Sequence, residues 1–404
     1  MKPKTKLLVL GSGFAGVTLL RQLRYQSNLE ITLVTSSPTF RYGATVWRAA
    51  TGYRKDNAYI PIEALLGVYP NLTIIYDQAE SIDRKKQIVT TSSGKKILYD
   101  YCAIGLGMVT SYFGIKGLEE FSYTIKSSDG LDKLRKHLHK EVMDDGVLDK
   151  NYVVVGAGPT GVELAAALKS YLKEVSHYHK LKAQRINVEL VEASKQVLPA
   201  MSKRAGATVR KRLIQLGVRV MTEQQVKAES KSTITIGKRS IPTKTVIWTA
   251  GVSNNPFFFA NPEQFALNEK KRVVVDGYLR VDSKVFVLGD NAATPFSGLA
   301  LTAVHNARYA AKVISRELDG KPVKPYRPLF PLTIIPVGDG WAILQWKKFI
   351  FWGKLASYLR LALDVVGYAY VMGYPRAWQL WQHRNDLEES CSICQKAIIS
   401  KKTP

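Results

Sequence analysis

The stretch Leu7-Leu8-Val9-Leu10-Gly11-Ser12-Gly13-Phe14-Ala15-Gly16 decides the fold of this chain, because its pattern recurs later in the sequence. The second copy reads Tyr152-Val153-Val154-Val155-Gly156-Ala157-Gly158-Pro159-Thr160-Gly161. A single G-x-G-x-x-G turn is a weak signal, since glycines punctuate many loops. Two copies, each between an apolar strand and an apolar-periodic helix, predict an α/β protein with two Rossmann-like dinucleotide-binding domains.

In the first copy the three glycines have distinct physical roles. Gly11 permits the tight turn, Gly13 lets the backbone approach a pyrophosphate, and Gly16 allows close packing of helix on strand. The N-terminus of the following helix favours a bound anion. Thr35 and Ser36 stand where an acidic residue usually binds the ribose, so that grip is weaker here. A glycine-rich turn without a ligand is the alternative.

The second copy is complete. Gly156, Gly158 and Gly161 repeat the three roles, and Glu192 ends the second strand of the unit. A carboxylate there accepts from ribose hydroxyls and repels a 2′-phosphate, which predicts NADH as the nucleotide. Lys195 nearby leaves mixed use of NADPH open.

Other polar residues extend the two candidate sites. Thr160 opens the helix after the second turn, and Glu163 is expected in the first turn of that helix. Glu163 either favours the helix dipole or faces the nicotinamide. Asp290 follows an apolar strand and precedes an alanine-rich helix, so it either binds the ribityl hydroxyls of a flavin or caps the helix.

Two further strands end in small residues. The segment 99–107 ends with Gly105 and Gly107, and the segment 245–251 ends with Ala250 and Gly251. Backbone without bulky side chains can pass close to a ligand. We therefore expect these positions to let the nicotinamide and flavin rings approach one another.

The order of these signals predicts the domain organisation. Residues 1–115 and 268–330 form the FAD-binding domain, residues 116–267 the NADH-binding domain, and residues 331–404 a C-terminal membrane-associating region. The predicted helices after the two turns span 14–26 and 160–183, and a charged hairpin near 83–96 suggests an inserted antiparallel piece. A strand at 285–288 lacks its own glycine turn, which predicts that the chain returns to the first domain.

Composition narrows the class of protein. The formal charge of +25, from 58 basic against 33 acidic residues, favours anionic partners unless it is only a solvated surface. No nucleic-acid recognition motif accompanies it, so we do not expect nucleic acid. Three cysteines and an N-terminus without an apolar leader predict a reducing, cytoplasmic setting.

The tail differs from the rest of the chain. Five of the seven tryptophans lie within 341–381, interspersed with basic residues. The apolar run Leu361–Tyr374 is broken by Asp364 and is shorter than the ~20 residues that span a bilayer. This pattern predicts a monotopic amphipathic anchor on an anionic membrane surface. A pair of dimerisation helices is the alternative.

Together these residues resemble the two-dinucleotide-binding-domain flavoproteins, and most closely type II (non-proton-pumping) NADH dehydrogenases. The segments that carry the resemblance are Phe40, 48–52, Pro61-Ile62, 159–164, 191–193, 248–252, 288–290, 353–356 and 372–376.

The resemblance implies FAD in the first domain and NADH in the second. It implies hydride transfer to FAD and then electron transfer to a membrane quinone, without proton pumping, at the cytoplasmic face of the cell membrane. A homodimer remains open. Further flavin contacts are implied for Phe14, Ala15, Thr51, Ala79 and Ala303.

One departure concerns the acceptor. The family's quinone-site helix normally begins Thr-Ala-Gln, whereas Val304 replaces the glutamine here and His305 follows. We count Glu163, Val304 and His305 as the candidate catalytic residues, with a packed His305 as the alternative. A soluble reductase with a protein or sulfur acceptor, or a membrane-bound flavin sensor, is the competing function. The cysteines lack the pairing that sulfur chemistry on this fold requires, so we interpret them as bystanders.

Overall fold

The first glycine turn lies at the carboxyl edge of a five-stranded sheet in the computed structural model, which describes residues 3–67, 69–143, 146–181 and 186–388. The strand order is β19-β9-β1-β2-β5, and all neighbours run parallel. The strands are β1 (Thr5–Leu10), β2 (Leu29–Thr35), β5 (Leu72–Tyr76), β9 (Tyr101–Ile104) and β19 (Val285–Val287). Because β19 pairs with β9, the chain returns to this sheet after forming the second one.

The second turn lies in a four-stranded parallel sheet of order β13-β12-β11-β17. Its strands are β11 (Asn151–Val155), β12 (Asn187–Val191), β13 (Val218–Met221) and β17 (Thr245–Trp248). Every residue of β11 is buried. A continuous apolar strand is typical of a parallel sheet with both faces covered. The α/β architecture thus contains two similar sheets, while the domain boundaries stay predictions.

The helices of the described residues are α1 (Phe14–Leu23), α2 (Val46–Ala49), α3 (Ile62–Leu66), α4 (Leu118–Phe121), α5 (Ser128–Met143), α6 (Pro159–Tyr178), α7 (Lys203–Gln215), α8 (Pro256–Ala260), α9 (Ala300–Leu318), α10 (Lys354–Met372) and α11 (Tyr374–Gln382). Of these, α6 and α7 pack on the second parallel sheet, and others pack on other elements or on one another. Both helices after the turns end earlier than the sequence predicts. After Leu23 the chain turns back, with the Gln26 N–H donating to the Leu23 carbonyl at 3.0 Å.

Helix α6 begins at Pro159, because proline at the first helical position lacks only an N–H that would have no partner there. This start corrects one sequence-based expectation. Glu163 lies beyond the first turn of α6, where the effect of the helix dipole has already fallen off.

Antiparallel pieces connect the two parallel sheets. The expected insertion near 83–96 is a three-stranded sheet of β6 (Ala79–Asp83), β7 (Ile88–Thr91) and β8 (Lys96–Leu98). A similar sheet follows the second unit, made of β14 (Val226–Ser230), β15 (Thr233–Ile236) and β16 (Arg239–Pro242). The crossover strands β10 (Met108–Thr110) and β18 (Val252–Asn254) pair with each other, and so do β3 (Thr39–Arg41) and β4 (Tyr59–Pro61).

The tail begins with strands that the sequence analysis did not predict. The antiparallel strands are β20 (Thr333–Pro336), β21 (Ala342–Trp346) and β22 (Phe349–Gly353), and α10 and α11 follow them. Isoleucine, phenylalanine and tryptophan dominate 342–353 and favour strands, so local propensity explains the difference. The tail is therefore a small sheet with two helices, and only the helices match the expected anchor.

Candidate dinucleotide and electron-transfer site

The first turn is built so that two of its positions tolerate only glycine. Gly11 has φ +94°, and a Cβ there would lie 2.5 Å from the Gly105 carbonyl oxygen. A Cβ on Gly16 would lie 1.9 Å from the Gly11 oxygen. A Cβ on Gly105 would in turn meet that of Ala15 at 3.2 Å. Close packing of one backbone segment on another within the protein therefore explains these glycines.

The second turn repeats this arrangement. Gly156 has φ +100°, and a Cβ there would lie 2.6 Å from the Cα of Ala250. A Cβ on Gly161 would lie 1.8 Å from the Gly156 oxygen and 2.7 Å from the Thr249 hydroxyl. That hydroxyl donates to the Val155 carbonyl at 2.8 Å.

Three other glycines face open space instead. A Cβ on Gly107 or Gly158 would meet nothing within 4 Å, and one on Gly13 would meet only the Gly105 oxygen at 4.0 Å. Gly13 and Gly158 are the residues that cap α1 and α6, so unpaired helix N–H groups lie beside each opening. Open space beside such a terminus fits a pyrophosphate, and hence a dinucleotide at each turn.

The two strand ends hold different side chains, as the sequence predicts. The Thr35 hydroxyl bonds the Ser12 hydroxyl at 2.8 Å and donates to the Ser37 carbonyl at 3.2 Å, whereas Ser36 is exposed. Thr35 is thus already engaged within the loop. Glu192 instead accepts the Ala157 N–H at 2.7 Å through one oxygen, and its other oxygen accepts the Ser194 N–H at 2.8 Å.

Small residues of three elements converge beside the first turn. A Cβ on Gly289, which has φ +66°, would lie 3.2 Å from the Cβ of Ala303 and 3.7 Å from that of Ala15. The structure therefore brings the predicted residues Ala15, Gly105 and Ala303 together. It adds Gly289, whose role the sequence analysis did not single out.

Buried asparagines hold this region, and the sequence analysis missed them. The Asn291 side chain accepts the Gly107 N–H at 2.7 Å and donates to the Gly107 carbonyl at 2.8 Å. It also donates to the Asn254 side chain at 2.7 Å, and Asn306 accepts the Gly289 N–H at 3.0 Å. Asparagine is mostly exposed in proteins, so residue type alone gave no signal. The run Gly289-Asp290-Asn291 was the available clue.

Asp290 does not cap α9, which corrects that alternative. It lies in a short 3₁₀ turn ten residues before the helix starts, and its carboxylate accepts the Gly298 N–H at 3.0 Å. Burial raises the pKa of Asp290, while the Gly298 N–H and the cations Arg272 and Arg41 oppose that rise. An acceptor in this position remains suited to flavin hydroxyls.

The end of β17 is fixed by the crossover between the two units. A Cβ on Gly251 would lie 1.9 Å from the Ser111 carbonyl oxygen, so packing already requires glycine there. The Lys126 ammonium donates to the Gly251 carbonyl at 2.7 Å. Burial, and then Arg41, lowers the pKa of Lys126 to about 8. Exposed Ala250 is left as the small residue available to a ligand.

Glu163 is buried against the tail. Its carboxylate lies 3.9 Å from the Arg360 guanidinium of α10, which also bonds Asp364 at 3.1 Å. Burial raises the pKa of Glu163 to about 8; Arg360 opposes the rise and Asp364 adds to it. Arg360 further donates to the carbonyls of Ala44 and Ile334. The i,i+4 pair Arg360–Asp364 inside an apolar run was the sequence signal for this cluster.

The two candidate residues on α9 differ in their surroundings. Val304 is buried, and His305 is half-buried with its Nδ1 3.0 Å from the Tyr326 hydroxyl. Burial, and then Arg308, lowers the pKa of His305. This contact suits the packed alternative, and a catalytic role for either residue stays a prediction.

The remaining predicted residues lie at several places in the two units. The Phe14 ring packs edge-on against Phe40, with centroids 5.0 Å apart. The Thr51 hydroxyl donates to the Trp47 carbonyl at 3.1 Å, and Ala79 is buried at the start of β6. Thr160 lies in the first turn of α6. Their contacts with cofactor stay predictions.

Among the cysteines, Cys102 lies buried in β9 and is a free thiol. Burial raises the pKa of this thiol, and Asp282 adds to the effect. Cys391 and Cys394 lie outside the described residues.

Comparison with known proteins identifies the family. The model of the pyridine nucleotide-disulphide oxidoreductases matches residues 5–311. The chain belongs to this family. The match includes both glycine turns, Asp290 and most of α9.

More specific relatives confirm the resemblance to type II NADH dehydrogenases. The type II NADH:quinone oxidoreductase NdhA of Mycobacterium tuberculosis is 28% identical over 398 residues, covering 91% of this chain and 84% of that protein. The type II NADH:quinone oxidoreductase of Staphylococcus saprophyticus is 24% identical, covering 89% and 94%. The structure of NDH2 from Plasmodium falciparum in complex with NADH shares the fold, with a TM-score of 0.83, 15% identity and coverage of 94% and 98%. The predicted α/β fold class is confirmed.

Proposed function

We propose that the chain is an FAD-dependent NADH:quinone oxidoreductase that does not pump protons. The observation that carries this proposal is the repeated glycine turn on two parallel sheets, with Glu192 held by backbone N–H groups at the second. The named activity of the similar proteins from Mycobacterium tuberculosis and Staphylococcus saprophyticus supports it. When bound, FAD supplies the redox chemistry between NADH and the quinone.

The chain itself supplies binding and orientation. At the first turn, Gly13 and the N-terminus of α1 would hold the pyrophosphate of FAD, and Asp290 would accept from its ribityl hydroxyls. At the second, Gly158 and α6 would hold NADH while Glu192 accepts from its ribose. The Glu192 carboxylate would also repel a 2′-phosphate, so we propose a preference for NADH over NADPH.

Glu163 is the proposed catalytic carboxyl. With a pKa of about 8 it carries its proton at neutral pH, and it lies where α6 meets the tail helix. Reducing a quinone to a quinol consumes two protons, so a buried protonated carboxyl at this junction suits proton donation as well as orientation of the nicotinamide. Arg360 would position Glu163 and stabilise it after the proton leaves.

We propose that the tail lies on the membrane surface rather than across it. Helix α10 has 19 residues and is apolar enough by length and composition to cross a membrane. Its residues Leu355, Tyr358, Leu359 and Leu363 share one exposed face. The opposite face carries the buried pair Arg360–Asp364 (15% or less exposed), which bonds the rest of the protein. A helix that is half embedded in this way fits a monotopic anchor.

We propose the cytoplasmic face for this anchor, as the similarity to type II NADH:quinone oxidoreductases suggests. Exposed Tyr374 and Trp378 on α11 suit either the lipid headgroup zone or a homodimer contact, and the homodimer stays a second proposal for that surface.

The competing acceptors have less support. Sulfur chemistry requires a reactive thiolate, and the thiol of Cys102 is buried with a raised pKa. A soluble reductase would not need the exposed apolar face of α10. A flavin sensor would be reduced by NADH but reoxidised slowly by quinone.

The test is to purify the full chain, record its flavin spectrum and follow NADH oxidation with and without a short-chain quinone. We expect a yellow protein that NADH bleaches and quinone restores. A colourless protein would refute the proposal, and a bleached protein that quinone cannot reoxidise would refute the acceptor alone. Cosedimentation with membranes tests the anchor separately.

A further inference from the structure

A second basic and aromatic surface lies outside the two tail helices. It consists of Trp346, Lys347, Lys348 and Phe349 at the tip of the β21–β22 hairpin, with Lys203 and Arg204 at the start of α7. We call these six residues the hairpin patch. Phe349 is 61% exposed and Trp346 49% exposed, and the four cations are exposed as well. None of these cations forms an ion pair with any residue that the structure describes.

The two halves of the hairpin patch are held together although they belong to different parts of the chain. The Ser202 N–H and hydroxyl both donate to the Gln345 side chain, at 3.1 and 3.0 Å. The Arg204 guanidinium lies 5.6 Å from the centre of the Trp352 ring. Helix α7 and the hairpin therefore present one surface.

The hairpin turn is chemically unfavourable for its own folding. A two-residue hairpin turn whose first residue has positive φ favours glycine at that position. Here the turn is Lys347-Lys348, and Lys347 has φ +52°. A lysine in the left-handed region costs about 1–2 kcal/mol. Local stability does not explain two lysines at this tip.

The start of α7 shows the same conflict. Lys203 and Arg204 are its first two residues, and no acidic residue lies in the first turn. The positive end of the helix dipole disfavours cations in that turn. The surroundings do not compensate, since the sequence contains no Asp or Glu in 193–222 or in 340–363.

We propose that the hairpin patch is a second docking surface for an anionic phospholipid bilayer, separate from the apolar face of α10. An anionic surface balances cations that the fold itself disfavours, and tryptophan and phenylalanine insert at the headgroup boundary. The inference rests on the proposed membrane association and deepens it. Two contacts, one on the tail helix and one spanning α7 and the hairpin, fix the orientation of the second parallel sheet relative to the bilayer.

The test uses substitutions that should not harm folding. Lys347→Gly with Lys348→Asn places glycine at the positive-φ position while removing two charges, and Lys203→Gln with Arg204→Gln removes two charges that the dipole disfavours. The matched control is Lys85→Asn with Lys86→Gly, which removes two lysines from the exposed turn between β6 and β7. Binding of the full-length proteins is measured by flotation with vesicles of phosphatidylglycerol and phosphatidylcholine, and with phosphatidylcholine alone.

Removing two cations near the membrane is expected to weaken binding of the protein to anionic vesicles about 30-fold, because one cation contributes about 1 kcal/mol. We expect this loss in both hairpin-patch variants on anionic vesicles only, removed by high salt, with an unchanged control. If both variants bind the anionic vesicles as strongly as the wild type, the inference is overturned and the proposed α10 anchor is left intact. Failure of the wild type to bind would refute the membrane proposal itself. A shift from dimer to monomer in the variants without lipid, with vesicle binding retained, would assign the patch to a second copy instead.

Discussion

The two glycine turns have nearly the same backbone angles and internal contacts. Gly11 and Gly156 have φ +94° and +100°, and their N–H groups donate to the ends of β2 and β12 at 2.8 and 2.7 Å. A Cβ on Gly16 or on Gly161 would meet the first carbonyl of its own turn at 1.9 or 1.8 Å. The same backbone solution is used twice.

The two turns differ at the residue after the leading glycine and at the residue that ends the second strand, which contact each other in both copies. In the first, the residue after the leading glycine bonds the strand end through side chains, Ser12 to Thr35. In the second, the backbone N–H of Ala157 bonds the carboxylate of Glu192. We propose that the repeated backbone binds phosphate in both copies, and that the strand-end residue distinguishes the two nucleotides.

The largest expected effect comes from making the same change in each copy. Gly16→Ala and Gly161→Ala each force a methyl group against a carbonyl oxygen, and overpacking typically costs about 1–3 kcal/mol. Because each clash distorts the turn itself, we expect Gly16→Ala to lose bound flavin and Gly161→Ala to keep flavin but lose reduction by NADH. The ratio of flavin to protein absorbance and the rate of bleaching by NADH measure the two outcomes.

Gly158→Ala is the matched control for fold, because its Cβ would face open space. It should leave the melting temperature nearly unchanged. Loss of flavin from Gly161→Ala at an unchanged melting temperature would break the assignment of one nucleotide to each turn.

The next effect tests the strand end of the second copy. Glu192→Gln keeps the shape but removes the charge, and a hydrogen bond to a charged group contributes about 1.5 kcal/mol or more. We expect the KM for NADH to rise roughly tenfold while that for NADPH falls. Steady-state kinetics with both nucleotides measure the change, with nearby Glu223→Gln as the control. An unchanged NADH to NADPH ratio would remove Glu192 from the ribose site.

Local sequence patterns predicted what is local in this fold. The strand–turn–helix units follow from apolar periodicity and glycine spacing, and the alanine-rich helix predicted after Asp290 is found at Ala300–Leu318. The contacts that join distant segments could not be predicted. Asn291 reaches Gly107 across 184 positions, and a lone asparagine carries no periodic signal.

The polar cluster at α10 was missed for a different reason. Asp364 was interpreted as an interruption of an apolar anchor, since exposed carboxylates are common. In the structure Asp364 pairs with Arg360, one helical turn earlier, and both side chains are largely buried. Whether such a pair faces protein or water depends on what packs against the helix, and part of those contacts, such as Glu163 of α6 and Ala44, lies far away in sequence.

A third effect compares the positions two residues after the last glycine of each turn. They hold Thr18, which does not titrate, and Glu163, whose pKa burial raises to about 8. An acid with a raised folded-state pKa contributes stability that is fully present below its unfolded pKa of about 4.5 and is lost as pH rises through 8. Glu163→Gln should therefore gain melting temperature over wild type at pH 9 but not at pH 4. A pH-independent difference between the two proteins would show that folding does not shift the pKa of Glu163.

The smallest effect concerns the strand end of the first copy. Thr35→Val removes a hydroxyl that bonds Ser12 and Ser37, and such a bond contributes about 1 kcal/mol. If that hydroxyl only closes the loop, flavin affinity should weaken by no more than about fivefold, and Ser36→Ala, at an exposed position, should change nothing. Fluorescence titration of the apoprotein with FAD measures both. A loss as large as that of Glu192→Gln for NADH would mean that Thr35 binds the ribose directly, and the two copies would then differ in side chain but not in role.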